Sequence, residues 1–304
     1  MLVFPKFIDP SAYAYFGYYL ANCFVETEVG CDVWFLYTSN GNLGVELMIK
    51  EFVRTRSTQD ELMSTFVTKP LPSTSQVDED STYMFLKLCL LDCGLTHTGT
   101  ATICHGMSSL QPVLIMELNL EGNWHPNTTD IGAALKVLVE TLASYPHLLS
   151  LTLAANNITS THTWHLILML CFSNLKCLNM GYNEIGLGIP LLASALRYNR
   201  KLTYLNLEEC QLTSQDLLSL GCNLAHNDTL DTLQISRNLY STSTFTTFLK
   251  LLEHSKMKQI FTSDLTSEHI DVINIVNRSR FQANLPQLRV GEKHPSFIAY
   301  QFYR

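Results

Sequence analysis

The sequence predicts an α/β solenoid, a right-handed and curved stack of strand-helix units with a parallel sheet on its concave face and helices on its convex face. Three observations predict this fold class. An eleven-residue segment recurs six times, its copies begin 27 to 33 residues apart, and amphipathic helical stretches fill the intervals. Hydrophobic residues make up 46% of the 304 residues and charged residues 15%, so the chain has enough apolar side chains for a continuous core.

The recurring segment has apolar residues at its first, fourth and sixth positions and Asn or Cys at its ninth. Clear copies begin at Leu148, Leu175, Leu202 and Leu230, and weaker copies begin at Phe85 and Ile115. This pattern is typical of leucine-rich repeats. The fourth and sixth side chains are expected inside the solenoid, and the ninth side chains are expected to form a ladder of hydrogen bonds with turn backbone. The ladder residues are Cys93, Asn123, Asn156, Asn183, Cys210 and Asn238.

Each interval between clear copies is long enough for a full helix at 1.5 Å per residue. Helices are predicted at 130–145, 187–199 and 214–226, the last with Ser214 as its N-cap. Repeats of this length resemble the ribonuclease-inhibitor-like class, which implies a cytoplasmic protein. The nine cysteines are scattered without a framework, which also favours a reducing compartment.

The sequence predicts five segments along the chain. Residues 1–29 are interpreted as an N-terminal helical cap, 30–56 as a degenerate first repeat, 57–82 as an inserted mobile loop, 83–256 as the repeats, and 257–304 as a faded repeat and C-terminal cap. The loop is either a tolerated insertion or a site for a partner or modification. No uncharged apolar run of about 18 residues occurs, so no membrane span is expected.

Two flanking features resemble the C-terminal repeat region of nucleotide-binding leucine-rich-repeat (NOD-like) immune receptors. They are the aromatic run FGYYLANC followed by a degenerate strand with Trp34, and the C-terminal stretch VNRSR followed by LPQL. The resemblance implies ligand sensing or autoinhibition in innate immunity. Because no GxxxxGK[ST] motif occurs, it implies a fragment or a stand-alone relative. The alternative is a stand-alone leucine-rich-repeat regulator that inhibits or activates an enzyme such as a nuclease or a small GTPase.

Catalytic motifs such as HExxH, GxSxG and a glycine-rich phosphate loop do not occur in the sequence, which predicts a protein that is not an enzyme and has no cofactor. His162 and His165 have helical spacing and are either half of a metal site or ordinary structural histidines. The net charge of −7 disfavours nucleic acid as a partner. A protein or peptide partner is therefore expected, and the sequence predicts no oligomeric state.

The residues beside the strand leucines are expected to be exposed on the concave face, Gln234 among them. Candidate protein-binding residues there are Glu117, Glu121, Asn179, Tyr182, Tyr204, Asn206, Glu208, Glu209, Asp231 and Arg237. Tyrosines beside charges are typical binding anchors. One hypothesis is that Tyr182, Tyr204, Glu208, Glu209 and Arg237 form an acidic-aromatic patch for a basic protein or peptide. The alternative is that they are the solvated face of a solenoid.

Overall fold

The computed structural model describes residues 2–4, 18, 30–36, 41–64, 84–110, 113–263 and 265–291. The chain divides into two compact units, Met1–Leu149 and Ser150–Arg304, which are called unit 1 and unit 2. Within the described residues of each unit, short parallel strands alternate with helices. The predicted α/β strand-helix solenoid is therefore confirmed.

Unit 1 contains β1 (Leu2–Phe4), β2 (Gly30–Leu36), α1 (Gly41–Ser64), β3 (Met84–Leu91), α2 (His97–Met107), β4 (Val113–Asn119) and α3 (Ile131–Ser144). Its four strands pair in parallel and in chain order. Leu88 of β3 pairs with Leu118 of β4, which places the fourth residues of the two weaker repeat copies side by side. The register shifts once, between Leu86 and Lys87.

Unit 2 contains β5 (Ser150–Thr152), α4 (Thr163–Phe172), β6 (Cys177–Asn179), α5 (Ile189–Tyr198), β7 (Tyr204–Asn206), α6 (Ser214–Leu224), β8 (Thr232–Gln234), α7 (Thr242–Leu251), β9 (Gln259–Phe261), α8 (Ser267–Gln282) and β10 (Arg289–Gly291). All six strands are parallel and pair in chain order. Leu151, Leu178, Leu205, Leu233 and Ile260 are adjacent rungs of this sheet.

The core of unit 2 lies between its strands and its helices. The fourth and sixth residues of each repeat, such as Leu178 and Met180, are fully buried. The helices bury one face against them, as α5 does with Leu192 and Leu196. Each such leucine contributes about 1.5–3 kcal/mol relative to an exposed side chain, so the repeated leucines account for the stacking of the units.

An asparagine ladder connects neighbouring repeats at the ninth position. Asn183 Oδ1 accepts hydrogen bonds from the backbone N–H of Asn156 at 3.0 Å and of Ile158 at 2.9 Å, both in the preceding repeat. Its Nδ2 donates to the carbonyls of Leu153 and Met180. Asn123 and Asn238 make equivalent bonds. This arrangement is the one expected from Asn at the ninth position.

Cysteine occupies the same position in the repeat that begins at Leu202. The Cys210 thiol donates to the Met180 carbonyl at 3.1 Å, across to the preceding repeat. Burial raises the pKa of this thiol to about 12, so it stays neutral and keeps its proton for the bond. Cys210 therefore provides part of the hydrogen bonding that Asn provides elsewhere.

The N-terminal flank differs from its prediction in two places. Residues 2–4, expected to begin a helical cap, form β1 and pair with β2. Their sequence, Leu-Val-Phe, has the bulky apolar residues that favour strands. Helix α1 runs to Ser64, so the first eight residues of the predicted loop 57–82 are helical. The remaining loop residues, 65–82, lie outside the described residues, as does most of the predicted N-terminal cap.

The C-terminal part of unit 2 contains β9, α8 and β10 within the segment interpreted as a faded repeat and cap, and β10 was not predicted. The N-cap of α6 is Thr213 rather than Ser214. Thr213 and Asp216 form a capping box in which each side chain bonds to the other residue's backbone N–H. The predicted N-cap was thus displaced by one position.

Candidate protein-binding surface

The eighth residue of every repeat has a left-handed backbone. The φ angles are 47° at Asp92, 72° at Gly122, 53° at Ala155, 59° at Tyr182, 52° at Glu209 and 57° at Arg237. This conformation turns the chain away from the strand, while the backbone N–H of the eighth residue still donates a hydrogen bond to the next repeat. Tyr182 donates to the Glu208 carbonyl at 2.7 Å, and Glu209 donates to the Ser236 carbonyl at 3.0 Å. Large side chains therefore project from equivalent positions in three successive repeats.

These side chains border a shallow groove in unit 2, which we call the turn groove. It has a volume of about 660 Å³ and is lined by Tyr182, Asn183, Glu184, Glu209, Gln211, Arg237 and Leu239. Arg237 Nη1 lies 3.5 Å from Glu209 Oε2, and both side chains are at least half exposed. An ion pair this exposed contributes little to stability, so its charges remain available to a ligand. Tyr182 and Leu239 are also exposed and give the groove apolar surface.

The strand face beside the groove is less exposed than predicted. Asn206 is 2% exposed, Glu208 6% and Gln234 0%. The expectation that these three side chains face solvent is therefore wrong. The Asn206 side chain is committed within the chain, because its Oδ1 accepts the backbone N–H of Glu208 at 2.8 Å. Burial of a polar side chain requires such partners, since an unsatisfied group would cost free energy.

Two tyrosines have raised pKa values, and Glu208 contributes to both shifts. Burial is the largest cause of the rise in the pKa of Tyr182, and the charge of Glu208 is the next. Burial also raises the pKa of Tyr204 on β7, with Cys177 and Glu208 adding to the effect. Both phenols therefore stay protonated at neutral pH and can act as hydrogen-bond donors.

Three of the five patch residues line the turn groove: Tyr182, and Glu209 with Arg237 as an ion pair. Glu208 is buried and does not line the groove. Tyr204 is half-buried on the adjacent strand face. Sequence reasoning missed Glu184, Gln211 and Leu239. All three occupy the tenth position of their repeats, immediately after the ladder residue, and this spacing could have identified them.

The other candidate residues have structural partners of their own. Asp231 Oδ2 accepts from Lys258 Nζ at 2.8 Å, and Asn179 Oδ1 accepts from the Gly181 N–H at 3.0 Å. In unit 1, Glu117 pairs with Lys87 at 2.8 Å, and the half-buried Glu121 carbonyl accepts from the Asp92 N–H. These contacts stabilise the strands and turns of their own units.

The two helically spaced histidines differ in role. His162 Nδ1 accepts the backbone N–H of Thr159 at 3.1 Å and caps the one-turn helix Ser160–His162. His165 Nδ1 is buried without a hydrogen-bond partner. Among the residues that the structure describes, no three His, Cys, Asp or Glu side chains are grouped to hold a metal ion.

No helix in the same described ranges is both long and apolar enough to cross a membrane.

No protein-family model and no curated protein sequence matches the chain. Among solved structures, leiomodin-1 actin-binding site 2 is similar over 48% of this chain and 88% of its own, with 17% identity and a TM-score of 0.41. The tropomodulin C-terminal domain of Caenorhabditis elegans is similar over 40% of this chain and 75% of its own, with 18% identity and a TM-score of 0.35. The repeat register and the asparagine ladder, not these distant similarities, define the chain as a leucine-rich-repeat solenoid.

Proposed function

We propose that the chain is a non-catalytic protein-recognition scaffold that binds its partner through the turn groove together with Tyr204 and Glu208. The observation that carries the proposal is that three successive repeats place Tyr182, Glu209 and Arg237 around one groove. The left-handed backbone at the eighth position of each repeat directs these large side chains there. A tyrosine and charged side chains grouped on one surface are typical of protein-binding sites.

The chemistry of the groove favours a basic protein or peptide. Glu184 and Glu209 provide two carboxylates in the groove, against one guanidinium from Arg237, and the buried Glu208, next to Glu209 in the chain, adds a third. Tyr182, which is 43% exposed, offers an aromatic ring and a hydroxyl on a side chain with few rotatable bonds. A tyrosine in that position is suited to anchor the partner, while the carboxylates select its charge.

The finer proposal is that the chain is the ligand-sensing or autoinhibitory repeat region of an innate immune receptor-like protein. The flanking resemblance to NOD-like receptors supports it. The alternative, a stand-alone regulator of a nuclease or small GTPase, is supported by the ribonuclease-inhibitor-like repeat length. A change in GTP hydrolysis or in RNA cleavage on addition of the full chain would favour the regulator.

The recognition proposal is tested by capturing partners with the immobilised full chain and measuring the affinity of each one. Replacing both Tyr204 and Glu208 by Ala should weaken a cognate partner by more than about 1 kcal/mol, which is roughly a fivefold rise in Kd. A matched control replaces Lys136 and Glu140 by Ala, an exposed pair on α3. Equal affinity of the Tyr204/Glu208 variant and the control would reject the proposed surface.

A further inference from the structure

The two edges of unit 2, at which its helices begin and end, carry opposite charge. All six strands are parallel, so each helix begins at one edge of the sheet and ends at the other. The first four connections from strand to helix contain three acidic residues and one basic residue. The first four connections from helix to strand contain three acidic and five basic residues, and the basic ones are Lys176, Arg200, Lys201, Lys256 and Lys258. The edge at which the helices end is therefore basic, although the whole chain has a net charge of −7.

Two neighbouring connections bring basic and aromatic side chains together at this edge. Helix α4 ends at Phe172 and α5 ends at Tyr198, and these two side chains are 59% and 75% exposed. Lys201 Nζ donates to the Ser173 carbonyl at 3.0 Å, so the second connection lies against the first. We call the surface formed by these connections the basic edge, and its residues are Phe172, Lys176, Tyr198, Arg200 and Lys201.

Neighbouring carboxylates neutralise the basic side chains at this end of the helices only in part. Lys176 is exposed. Arg200 Nε lies 3.3 Å from Asp228 Oδ1, but the same carboxylate also lies 4.0 Å from Lys256 Nζ, and all three side chains are at least half exposed. Ion pairs this exposed contribute little free energy and remain open to exchange with another charge. One carboxylate between two cations therefore leaves positive charge available to a ligand.

The turn groove has the complementary composition. Glu184 and Glu209 provide exposed carboxylates, and Tyr182 and Leu239 provide exposed apolar surface. The basic edge combines the opposite charge with two exposed aromatic side chains. Aromatic residues and Arg are enriched in protein interfaces, and complementary charge directs which surfaces meet. The chain itself therefore carries a surface with the chemistry expected of a partner of the groove.

The basic edge and the turn groove cannot meet within one chain. They lie at opposite ends of the same helices, because Glu184 precedes α5 and Tyr198 ends it. The ten residues of α5 span about 15 Å, and its repeat is fixed in the sheet by the pairing of β6 with β7. Contact between the two surfaces therefore requires two chains.

We propose that the basic edge of one chain binds the turn groove of a second copy of this chain. The groove carboxylates pair with the basic side chains of the edge, and the aromatic side chains of both surfaces leave water. Because two different surfaces meet, each dimer keeps one free groove and one free edge, and association continues unless a ring closes. The inference rests on the proposed function of the turn groove and identifies its basic partner as another copy of the chain.

Sedimentation velocity of the full chain tests the inference. The wild-type chain should form a concentration-dependent series of oligomers at low ionic strength, and high salt should raise the apparent Kd about tenfold or more by screening the exposed charges. Two charge-reversed variants separate the surfaces. The edge variant carries Lys176→Glu and Arg200→Glu, and the groove variant carries Glu184→Lys and Glu209→Lys. Each should associate about tenfold or more weakly than the wild type, because like charges then face each other.

A mixture of the two variants gives the sharpest measurement. The groove variant keeps a native edge and the edge variant keeps a native groove, so the mixture should associate about tenfold or more tightly than either variant alone. Lys136→Glu and Glu140→Lys, at an exposed pair on α3, are the matched controls and should associate like the wild type. Circular dichroism checks the folding of each variant. If a reversed variant does not fold, the corresponding Gln substitutions replace it.

A wild-type chain that is monomeric at about 0.1 mM and low ionic strength would overturn the inference. So would a mixture that associates no better than its components, or self-association that persists in the groove variant. A monomeric chain that loses a captured partner only in the groove variant would reject the inference and retain the proposed function. A captured partner that binds the groove variant and the wild type equally would instead reject the proposed function.

Discussion

At the scale of single residues, Asn183 shows how a ladder asparagine is held in unit 2. It is 2% exposed and makes five hydrogen bonds through its side chain, two as acceptor and three as donor. All five partners are backbone groups, and they belong to two successive repeats. No other residue type offers an acceptor and two donors in so short a side chain, which is why Asn is preferred at the ninth position.

Replacing Asn183 by Ala should lower the free energy of unfolding by about 3 kcal/mol or more. The substitution leaves two buried N–H groups and several carbonyls unpaired, and each unpaired group costs about 1–3 kcal/mol. Urea unfolding followed by circular dichroism measures the change. The matched control is Glu184→Ala at the next residue, whose exposed side chain should change stability by less than about 0.5 kcal/mol. Similar losses in both variants would contradict the structural role of the ladder.

The ladder could be predicted from the sequence, but the left-handed turn before it could not. Position nine shows only Asn or Cys, whereas position eight holds Asp, Gly, Ala, Tyr, Glu and Arg in the six copies. Backbone geometry there is imposed by hydrogen bonds between repeats, which leave no residue preference in one sequence. The burial of Glu208 was missed for a related reason, because exposure of a strand-face residue depends on what covers it.

At the scale of elements, neighbouring repeats of unit 2 pack backbone against backbone beside Gly186. Its N–H donates to the Cys210 carbonyl at 3.0 Å, in the next repeat. A Cβ atom at this position would lie 2.6 Å from the Gln211 carbonyl oxygen, which belongs to the backbone and cannot rotate away. Glycine is therefore required here by the spacing of the repeats, since any side chain would push two turns apart.

Gly186→Ala should destabilise the chain by about 1–3 kcal/mol, the usual cost of forcing an extra methyl group into a packed site. The control is Gly132→Ala in α3, where the nearest atom to the new Cβ is Asp130 Oδ1 at 3.4 Å. In a helix with that space, Ala should stabilise by up to about 1 kcal/mol. Thermal and urea unfolding of both variants measure the difference. A neutral Gly186→Ala would show that the repeats can separate there at little cost.

Helix ends in unit 2 are connected by a second set of side chains. Asn199 donates to the Leu170 carbonyl and Asn227 to the Leu196 carbonyl, so each binds the helix of the preceding repeat. At the last helix pair, the fully buried Arg280 takes this role and donates to the carbonyls of Leu252 and Met257. The two asparagines belong to recurring polar steps in the sequence, but a buried arginine could not be foreseen, because arginine is rarely buried.

At the scale of the whole molecule, the repeats bury several weak acids in neutral form. Burial raises the pKa of Cys89 and of Cys210 to about 12 and that of Cys104 to about 11, from an ordinary value of 9.0. Burial likewise raises the pKa of Tyr145 to about 12, from 10.0, while its hydroxyl accepts the Ile115 N–H at 2.8 Å. A core built from repeats that use Cys in apolar positions therefore depends on protonated thiols.

The folded state should consequently lose stability in mild alkali. Above pH 9 the unfolded chain releases the thiol protons, whereas the folded chain retains them until the pH approaches 11 to 12, so the unfolded state binds fewer protons and stability falls as pH rises. At pH 10 each of the three thiols should lower the free energy of unfolding by about 1.4 kcal/mol, together about 4 kcal/mol. Urea unfolding at pH 8 and pH 10, with a reductant present, measures this loss.

Cysteine variants show which thiols cause the loss of stability at pH 10. The free energy of unfolding of each variant at pH 10 is compared with its own value at pH 8, so the cost of the new cavity cancels. Cys104→Ala should reduce the loss at pH 10 by about 1.4 kcal/mol, since one buried proton is no longer retained. Cys222→Ala, at an exposed thiol on α6, should keep the full loss. Equal losses in Cys104→Ala and Cys222→Ala would mean that the Cys104 thiol ionises as readily in the folded chain as in the unfolded one. The packing of α2 around that thiol would then be looser than the structure describes.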